Sequence, residues 1–353
     1  MDRCDVLLAG TMGDIGAMVA ESLRAHGLAV MQMDFVQNTP RDEAGYRRTL
    51  LHAVEACRPR MIWPIGHPLA LSRLVHGTDT DIAPRLTERL RGLLGDICVP
   101  VAKPDVIQLL DSKVDCSRLA GEQGIPQPVL YASAEEVKAF PVIFKRERSF
   151  GGSGVYKPES VEALRRLMAN ERGRRFLIEE FLEGEDVSVD MVRWGDEFHA
   201  ACYRTLSRRQ GQGPADSREP CEAPEIIAYG RRLVEAVGYE GVCGMDFRVG
   251  TDGRICFLEC NPRFTGGVAT QVAAGFDIPW RFYCLIENRA SNESRDKLEL
   301  CRVVSEEKTR SGLNGELRVE DYHAGESLPE GTLGIYRDSW EAAPDGLQPG
   351  FQG

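Results

Sequence analysis

Two runs of alternating apolar and polar residues, 244–249 and 254–263, flank the loop Gly250-Thr251-Asp252-Gly253. Alternation with a period of two is typical of strands with one buried face, and a short Gly/Asp segment is typical of the turn between antiparallel strands. The pattern therefore predicts a β-hairpin, around which the rest of the chain can be organised.

We predict a register symmetric about this loop, with Asp246 opposite Phe257 and Gly244 opposite Glu259. One face of the hairpin then carries Asp246, Arg248, Glu259 and Asn261, and the other carries Met245, Phe247, Cys256 and Leu258. Asp246 becomes a diagonal neighbour of Glu259 and Asn261, at roughly 7–8 Å between backbones. Two carboxylates and an amide oxygen beside an arginine favour a Mg²⁺-phosphate site. The alternative is a hairpin whose outer face is only solvated.

Shorter apolar runs at the start of the chain alternate with segments of helical periodicity. Strands are predicted at 5–9, 29–35 and 60–65, and helices at 17–26 and 46–57. Residues 1–102 are therefore predicted to form a small parallel α/β domain. The turn at 10–16 has a GxxGxxG pattern, and with Asp34 it could hold a nicotinamide or flavin dinucleotide. A tight turn with no nucleotide, or with a different small molecule, is the alternative.

A helix is predicted at 104–121, and beyond it a glycine-rich segment, 149–154, joins a strand at 140–145 to a strand at 155–157. Such a unit can close over a polyphosphate, with backbone amides as donors and Lys145 at its root. It has neither the GxxxxGK[ST] sequence of a Walker loop nor the later lysine of a kinase loop. The alternative is a glycine-rich hairpin turn.

The acidic turn Glu183-Gly184-Glu185 separates an apolar strand at 176–182 from an alternating strand at 186–192. Backbone groups at such a turn can contact the edge of an adenine, and Glu185 can reach a ribose. Otherwise the segment is only an acidic connection between two strands.

Residues 204–224 combine arginines, glycines and prolines with few apolar side chains, which predicts an exposed loop. Residues 268–274 and 277–287 are helical in character. From residue 288 the sequence turns polar, with weak strands predicted at 298–304 and 332–336 and a disordered end.

The composition is that of an ordinary globular protein of 353 residues, with 42% hydrophobic and 27% charged residues, which suffices for two or three domains. A net charge of −11 argues against nucleic-acid binding, and no apolar run approaches the ~18 residues of a membrane span. The chain begins without the features of a signal peptide, so a cytoplasmic protein is expected.

The eleven cysteines have no CxxC spacing, so neither a zinc site nor a catalytic cysteine is predicted. They are expected to be reduced and buried as small hydrophobic residues. The members that lie within apolar runs carry this expectation: Cys57, Cys98, Cys243, Cys256 and Cys284.

Together these segments resemble the ATP-grasp superfamily of carboxylate–amine ligases, in the branch with carbamoyl-phosphate synthetase, biotin carboxylase and related amino-acid ligases. Each motif alone is weak, but five occur in the family's order over roughly residues 100–290. They are Asp111-Ser112-Lys113 ahead of Gly124-Ile125-Pro126-Gln127-Pro128, the strand 140–145 with its glycine loop, 178–185, Gly244-Met245-Asp246, and Glu259-Cys260-Asn261-Pro262-Arg263.

The resemblance implies a fold of mixed α/β and α+β class. A Rossmann-like pre-ATP-grasp domain at 1–102 would precede a two-subdomain ATP-grasp domain at 103–290. The small lid subdomain would lie at about 125–180 and the C-terminal subdomain at about 181–290, followed by a tail of uncertain structure at 291–353. Such a first domain has no need of a dinucleotide.

The resemblance also implies roles for single residues. The ATP phosphates would meet Lys113, Lys145 and the glycine loop, namely Ser149, Gly151, Gly152, Ser153 and Gly154. Adenine would lie at Glu179 or Glu180 and the backbone of Phe181 and Leu182, and the ribose at Glu185. Mg²⁺, or Mn²⁺ in its place, would be bound by Glu259, Asn261 and, more weakly, Asp246.

Lys145 and Arg263 would act in catalysis, with Arg263 steadying an acyl phosphate. Candidate substrate contacts are Arg204, Arg208 and Arg209. The implied reaction moves the ATP γ-phosphoryl group to a small-molecule carboxylate, and an amine then displaces phosphate to give an amide or peptide-like bond.

Other functions stay open from the sequence: a bicarbonate-using carboxylase or carbamoyl-phosphate-type enzyme, a non-catalytic ATP-binding protein, or a nicotinamide enzyme. The expected partners are a small-molecule carboxylate and an amine, with no nucleic acid and no membrane. A homodimer is left open.

Overall fold

The computed structural model describes residues 4–10, 14–33, 43–66, 68–78, 83–149, 152, 154–208, 215–289, 301–305, 321–322 and 333–337. The centre of the first glycine-rich turn (11–13) and Asp34, both singled out from the sequence, lie outside these ranges. In the described part of the chain, no helix has the length and apolar character needed to cross a membrane.

A parallel sheet of three strands forms the N-terminal part of the chain, as predicted, in the order β2-β1-β3. All four residues of its central strand are buried, because side chains on its two faces enter two different hydrophobic cores. In chain order the elements are β1 (Val6–Ala9), α1 (Asp14–Ala25), β2 (Val30–Met33), α2 (Glu43–Cys57), β3 (Met61–Pro64), α3 (Pro68–His76) and α4 (Pro84–Leu94).

The single helix predicted at 104–121 is two helices, α5 (Pro104–Asp111) and α6 (Lys113–Glu122). The break is at Ser112, whose backbone is extended and whose hydroxyl oxygen accepts a hydrogen bond from the Asp115 amide. A serine that caps a helix in this way satisfies an amide that the helix itself leaves unpaired. The break therefore starts a new helix at Lys113.

A small antiparallel sheet, here called the lid sheet, follows with the strand order β5-β4-β6. Its apolar side packs on α7 through a core that includes Phe144, Leu164 and Ile178. The elements are β4 (Val142–Arg146), β5 (Val155–Tyr156), α7 (Val161–Asn170) and β6 (Phe176–Glu180).

An eight-stranded sheet forms the rest of the described chain, in the order β11-β10-β7-β8-β9-β12-β14-β13. Its strands and helices are β7 (Gly184–Trp194), β8 (Glu197–Arg208), β9 (Ala215–Cys221), α8 (Pro224–Ala236), β10 (Gly241–Gly250), β11 (Ile255–Asn261), α9 (Val268–Ala273), α10 (Ile278–Ile286), β12 (Cys301–Ser305), β13 (Asp321–Tyr322) and β14 (Leu333–Arg337).

The prediction of an exposed loop at 204–224 is wrong at both ends of this segment. Residues 204–208 belong to β8 and residues 215–221 to β9, and the two strands pair with each other. The sequence of β9 is polar and does not indicate a strand. β9 forms because β8 and β12 pair with it on its two sides. The weak strands predicted near 298–304 and 332–336 are confirmed as β12 and β14, which extend this sheet. The predicted domain boundaries stay predictions.

The large sheet has two faces of different character. Cross-strand pairing places Phe257, Phe247, Val187 and Arg204 in one row, on the face that packs on α8 and α6; we call it the core face. The next row, Glu259, Asp246, Ser188 and Tyr203, points to the opposite side, here called the cleft face. Further along the cleft face, Val192 and Val242 pack against the N-terminal sheet.

The hairpin is confirmed as β10 and β11, but its predicted register is wrong. Val249 pairs with Ile255 and Phe247 with Phe257, and a bulge beside Asp246 then brings this residue directly opposite Glu259. A bulge inserts one extra residue, so the pattern of faces changes along β11. Phe257, in the row predicted to be polar, lies in the core, and Cys256, predicted on the apolar face, shares the face of Arg248.

Most cysteines in the described part are free and buried, as expected. Cys98, predicted to be buried, is exposed because it lies in the connection between α4 and α5 and only forms a single bridge with β3.

Candidate active site

Lys113 joins the lid region to the edge of the large sheet. Its ammonium group is 2.9 Å from Glu259 Oε2 and donates a hydrogen bond to the Ser149 carbonyl oxygen at 2.9 Å. Its position follows from the Ser112 cap, because Lys113 is the first residue of α6, which contacts β11. The side chain is only 8% exposed. Lys113 therefore links the glycine-rich segment to the predicted metal strand.

Glu259, Asp246 and Asn261 share the cleft face, as predicted, and the bulge brings the two carboxylates closer than the predicted diagonal. Burial tends to raise the pKa of Glu259, but the charges of Lys113 and Lys145 outweigh it and hold this pKa below its usual range. Glu259 is therefore an anion at neutral pH, as a metal ligand must be.

Arg263 continues the same row of groups beyond the end of β11. Its guanidinium donates to Asn261 Oδ1 at 3.2 Å and to the Phe264 carbonyl oxygen at 3.0 Å. Burial lowers the pKa of Arg263, against the opposing charges of Asp111, Glu259 and Asp246. These contacts place a half-buried cation beside the carboxylates.

Lys145 lies on the lid sheet and faces the large sheet. Its ammonium is 2.6 Å from Glu179 Oε2, and it donates to the Leu258 carbonyl oxygen at 3.4 Å. Both side chains of the ion pair are buried. Since Leu258 is the bulged residue of β11, Lys145 contacts β11 at the bulge. The cleft between the two sheets thus brings together Lys113, Lys145, Glu179, Asp246, Glu259, Asn261 and Arg263.

The glycine-rich loop is described in part. Gly154 has φ of +104°, and a methyl group on it would lie 2.9 Å from Arg146 Cδ, so glycine suits this position. Ser149 contacts Lys113 through its carbonyl oxygen, and Gly152 also has a positive φ. Gly151 and Ser153 lie outside the described residues.

Other predicted residues lie near the cleft with partners of their own. Glu180 forms a two-pronged ion pair with Arg254, at 2.8 and 3.1 Å, and accepts from the Val129 amide at 3.2 Å. The Phe181 ring packs under the Lys157 ammonium, and Leu182 is buried. Of the two acidic candidates, Glu179 is therefore the one that faces the cleft.

Glu185 and Arg204 are not brought into this cluster. Arg204 pairs with Val187 in the sheet and so lies on the core face. It forms ion pairs with Glu185 at 3.1 Å and Glu219 at 3.4 Å. Arg209 lies outside the described residues, and of Arg208 only the backbone, in β8, is described.

The chain is similar to known proteins in sequence and in fold. A family model described as "ATP-grasp in the biosynthetic pathway with Ter operon" matches residues 172–309, which include β6, β7, β10 and β11. The L-amino acid ligase of Bacillus licheniformis superimposes with a TM-score of 0.62 over 93% of this chain and 83% of its own, at 12% identity. Residues 172–309 thus match an ATP-grasp family, and the chain has the fold of these proteins.

Other ATP-grasp relatives differ in size. The biotin carboxylase of Campylobacter jejuni matches with a TM-score of 0.63 over 87% of this chain and 77% of its own, at 16% identity. Formate-dependent phosphoribosylglycinamide formyltransferase of Methylococcus capsulatus is 28% identical over 301 residues, 76% of this chain and 72% of the relative. The chain spans only 16% of the arginine-specific carbamoyl phosphate synthase large chain of Bacillus subtilis, to which it is 24% identical over 166 residues.

The residues of the ATP-grasp cleft fit a divalent cation that shares its ligands with phosphates. Mg²⁺ prefers carboxylate and carbonyl oxygens and is commonly held by one or two carboxylates together with substrate phosphates. Asp246, Glu259 and Asn261 offer such oxygens on one face. Among the described residues there is no group of three or more His, Cys, Asp and Glu side chains that could hold a metal ion by itself.

Polar residues of the cleft face that the sequence did not single out are Ser188, Asp190 and Arg218. Side chains alternate along β7, so Ser188 and Asp190 lie on one face. That this is the face of Asp246 follows only from the register of β7 against β10. Arg218 lies on β9, a strand whose composition predicts a loop. Neither pairing can be derived from the local sequence.

A network of ion pairs and hydrogen bonds lies at the start of α6, next to Lys113. Arg175 contacts both oxygens of Asp115, at 2.7 and 2.8 Å, and Glu147 Oε1 at 2.8 Å. Ser112 donates to the same Glu147 oxygen at 2.8 Å. The network therefore ties the start of α6 to the base of the glycine-rich loop.

This network predicts a change of stability with acid. The hydrogen bonds from Arg175 lower the pKa of Asp115 to about 2. Since the unfolded value is ~3.9, the ion pair stabilises the folded state fully above about pH 4, and its contribution is lost as the pH falls towards 2. Asp115→Asn should therefore lower the melting temperature most at neutral pH, and its difference from wild type should shrink on acidification. A difference that stays constant from pH 6 to pH 3 would contradict this, and Asp96→Asn in an exposed turn is the control.

Proposed function

We propose that this ATP-grasp protein is an ADP-forming ligase that activates a small-molecule carboxylate and joins it to an amine. The observation that carries the proposal is the convergence of Lys113 and Lys145, from separate elements, on the Asp246–Glu259–Asn261 face of the hairpin. Phosphoryl transfer depends on positioned charge more than on a covalent nucleophile, and this cleft supplies such charge. The L-amino acid ligase among the structural relatives supports the proposal.

In this proposal each group of the cleft has one task. Lys113 and Lys145 bind the phosphates, and the glycine-rich loop, anchored through Ser149, covers them. Glu179, with the backbone at Phe181 and Leu182, is proposed for the adenine. These contacts hold the terminal phosphate near the carboxylate it is transferred to and exclude water from the product.

Asp246, Glu259 and Asn261 would hold Mg²⁺, whose charge stabilises the transferred phosphoryl group. A related 2-oxoglutarate carboxylase domain of Hydrogenobacter thermophilus was crystallised with MgADP, which supports this choice. Arg263 would bind the carboxylate and then the acyl phosphate made from it. Attack of the amine on the acyl carbon forms the C–N bond, breaks the C–O bond to phosphate and releases a proton and inorganic phosphate.

The test is ADP and phosphate release with ATP and Mg²⁺, or Mn²⁺ in a parallel series, over pairs of carboxylates and amines. The expected result is release that needs both substrates, together with a product whose mass is the sum of the two less one water. Bicarbonate as the carboxylate component tests the carboxylase alternative in the same assay. ATP binding without ADP release in any combination would refute ligation.

A further inference from the structure

The turn of the hairpin β10–β11 contacts the segment that joins the lid sheet to the large sheet. This segment, 180–184, here called the connecting segment, begins at the last residue of β6 and ends at the first residue of β7. Gly184 pairs with Gly250 at the end of β10, so the connecting segment lies beside the hairpin turn. A methyl group on Gly184 would overlap the Val249 carbonyl oxygen, so the two backbones are in close contact. The backbone proposed for the adenine therefore rests on the hairpin that carries the proposed metal ligands.

Arg254, at the end of the hairpin turn, holds the first residue of the connecting segment. Its guanidinium donates to Glu180 Oε1 at 2.8 Å and to Glu180 Oε2 at 3.1 Å. Asp252 accepts from the Arg254 amide at 3.0 Å and from Arg254 Nε at 2.6 Å, so the arginine is itself fixed within the turn. A guanidinium that binds a carboxylate through two hydrogen bonds sets both distance and orientation, which a point charge does not.

Two further contacts hold the other end of the connecting segment. The Thr251 amide donates to the Glu183 carbonyl oxygen at 2.9 Å. The Arg248 guanidinium donates to the carbonyl oxygen of the last residue of the segment at 2.8 Å. The backbone at Phe181 and Leu182 therefore lies between two points that the hairpin fixes.

We infer that Arg254 is a positioning residue for the nucleotide base. It fixes the connecting segment on the hairpin turn, while the metal ligands proposed beside the phosphates lie further along the same hairpin. Five positions of the chain separate Arg254 from Glu259, about 16 Å of strand, so Arg254 acts on the base end of the nucleotide and not on its phosphates. The inference rests on the proposed function, since it concerns how the nucleotide of that reaction is held.

The test compares nucleotides that differ only in the base. Adenine presents an amino donor where guanine presents a carbonyl acceptor, so a backbone placed to bind one edge does not match the other. Wild-type protein should therefore bind Mg-ATP more tightly than Mg-GTP in calorimetric titrations. Arg254→Met should weaken Mg-ATP binding by about 3- to 10-fold, the size expected for a partly exposed charge pair, and leave Mg-GTP binding unchanged. In turnover, the KM for ATP should rise by the same factor while kcat is unchanged.

Two further variants separate positioning from a general loss of structure. Arg254→Lys keeps the charge but not the two-pronged geometry, so it should recover part of the affinity for ATP. Glu180→Gln breaks the same pair from the other side, and adding it to Arg254→Met should increase the loss little. Arg231→Met, which removes an exposed ion pair with Glu235 on α8, is the control and should keep wild-type affinity.

Equal affinity of the wild type for Mg-ATP and Mg-GTP would overturn the inference, and so would an Arg254→Met variant that binds Mg-ATP as tightly as the wild type. Equal weakening of Mg-ATP, Mg-GTP and inorganic tripolyphosphate with Mg²⁺ would overturn it too, because Arg254 would then have only a structural role. Selective loss of ATP affinity in a protein that releases no ADP with any pair of substrates would support the inference and refute the proposed ligation. ADP release with a KM for ATP that Arg254→Met leaves unchanged would do the reverse, so the two failures are distinguishable.

Discussion

Glu259→Gln is expected to lower the rate of Mg²⁺-dependent ADP release by about 10²- to 10³-fold, because it removes one anionic ligand from a site that acts through fixed charge. Glutamine has the same shape and can still accept from Lys113, which lies 2.9 Å from Glu259. The melting temperature should therefore change little. Initial rates with saturating substrates, measured over a range of Mg²⁺ concentrations, should show a weaker dependence on the metal as well as a lower maximum.

A matched variant separates this effect from a general change of charge. Glu235→Gln alters a carboxylate on α8, on the other side of the large sheet, where its partner is Arg231 at 2.7 Å. It should keep wild-type rates. A Glu259→Gln protein of normal stability that released ADP at the wild-type rate would remove the metal assignment.

Lys145→Met is expected to lower the free energy of unfolding by about 3–5 kcal/mol, because it leaves the carboxylate of Glu179 buried without a cation. The two groups lie 2.6 Å apart, and both are buried. Chemical denaturation with urea measures the loss. Arg165→Met, which breaks an exposed ion pair with Glu135 on the same lid region, should have a far smaller effect.

The double variant Lys145→Met/Glu179→Met distinguishes folding from function. Replacing both members of a buried ion pair by apolar residues is often neutral for stability, so the double variant should recover most of the lost free energy. It should not recover binding of Mg-ATP, because the lysine proposed for the phosphates is absent. If ATP affinity returned together with stability, Lys145 would have only a structural role.

The local sequence could predict the units of this fold but not all their pairings. Alternation around 250 predicted the hairpin and the shared face of Asp246, Glu259 and Asn261, because these residues are local to one turn. The bulge at Leu258 was not predicted, since nothing in a period-two pattern marks the single residue that breaks it. The consequence was a register in which Phe257 lay on the wrong face.

Pairing between distant segments accounts for the other differences. The glycine- and arginine-rich segment after residue 204 resembles a loop by composition, yet β8 and β9 form because β7 and β12 flank them. Formation of the two strands also determines on which face of the sheet each arginine lies. Arg204 points to the core face and Arg218 to the cleft face, a distinction that composition does not contain.

The pairing of both cleft lysines with carboxylates has a consequence for which form of the nucleotide binds. Lys113 is paired with Glu259, and Lys145 is paired with Glu179. A polyphosphate that binds these lysines must therefore displace the two carboxylates from them. Without a divalent cation, the displaced carboxylates would repel the phosphates at close range. The protein should therefore bind metal-free ATP weakly and bind its magnesium complex in preference. This selectivity would come from electrostatic repulsion of the wrong form as well as from favourable contacts with the right one.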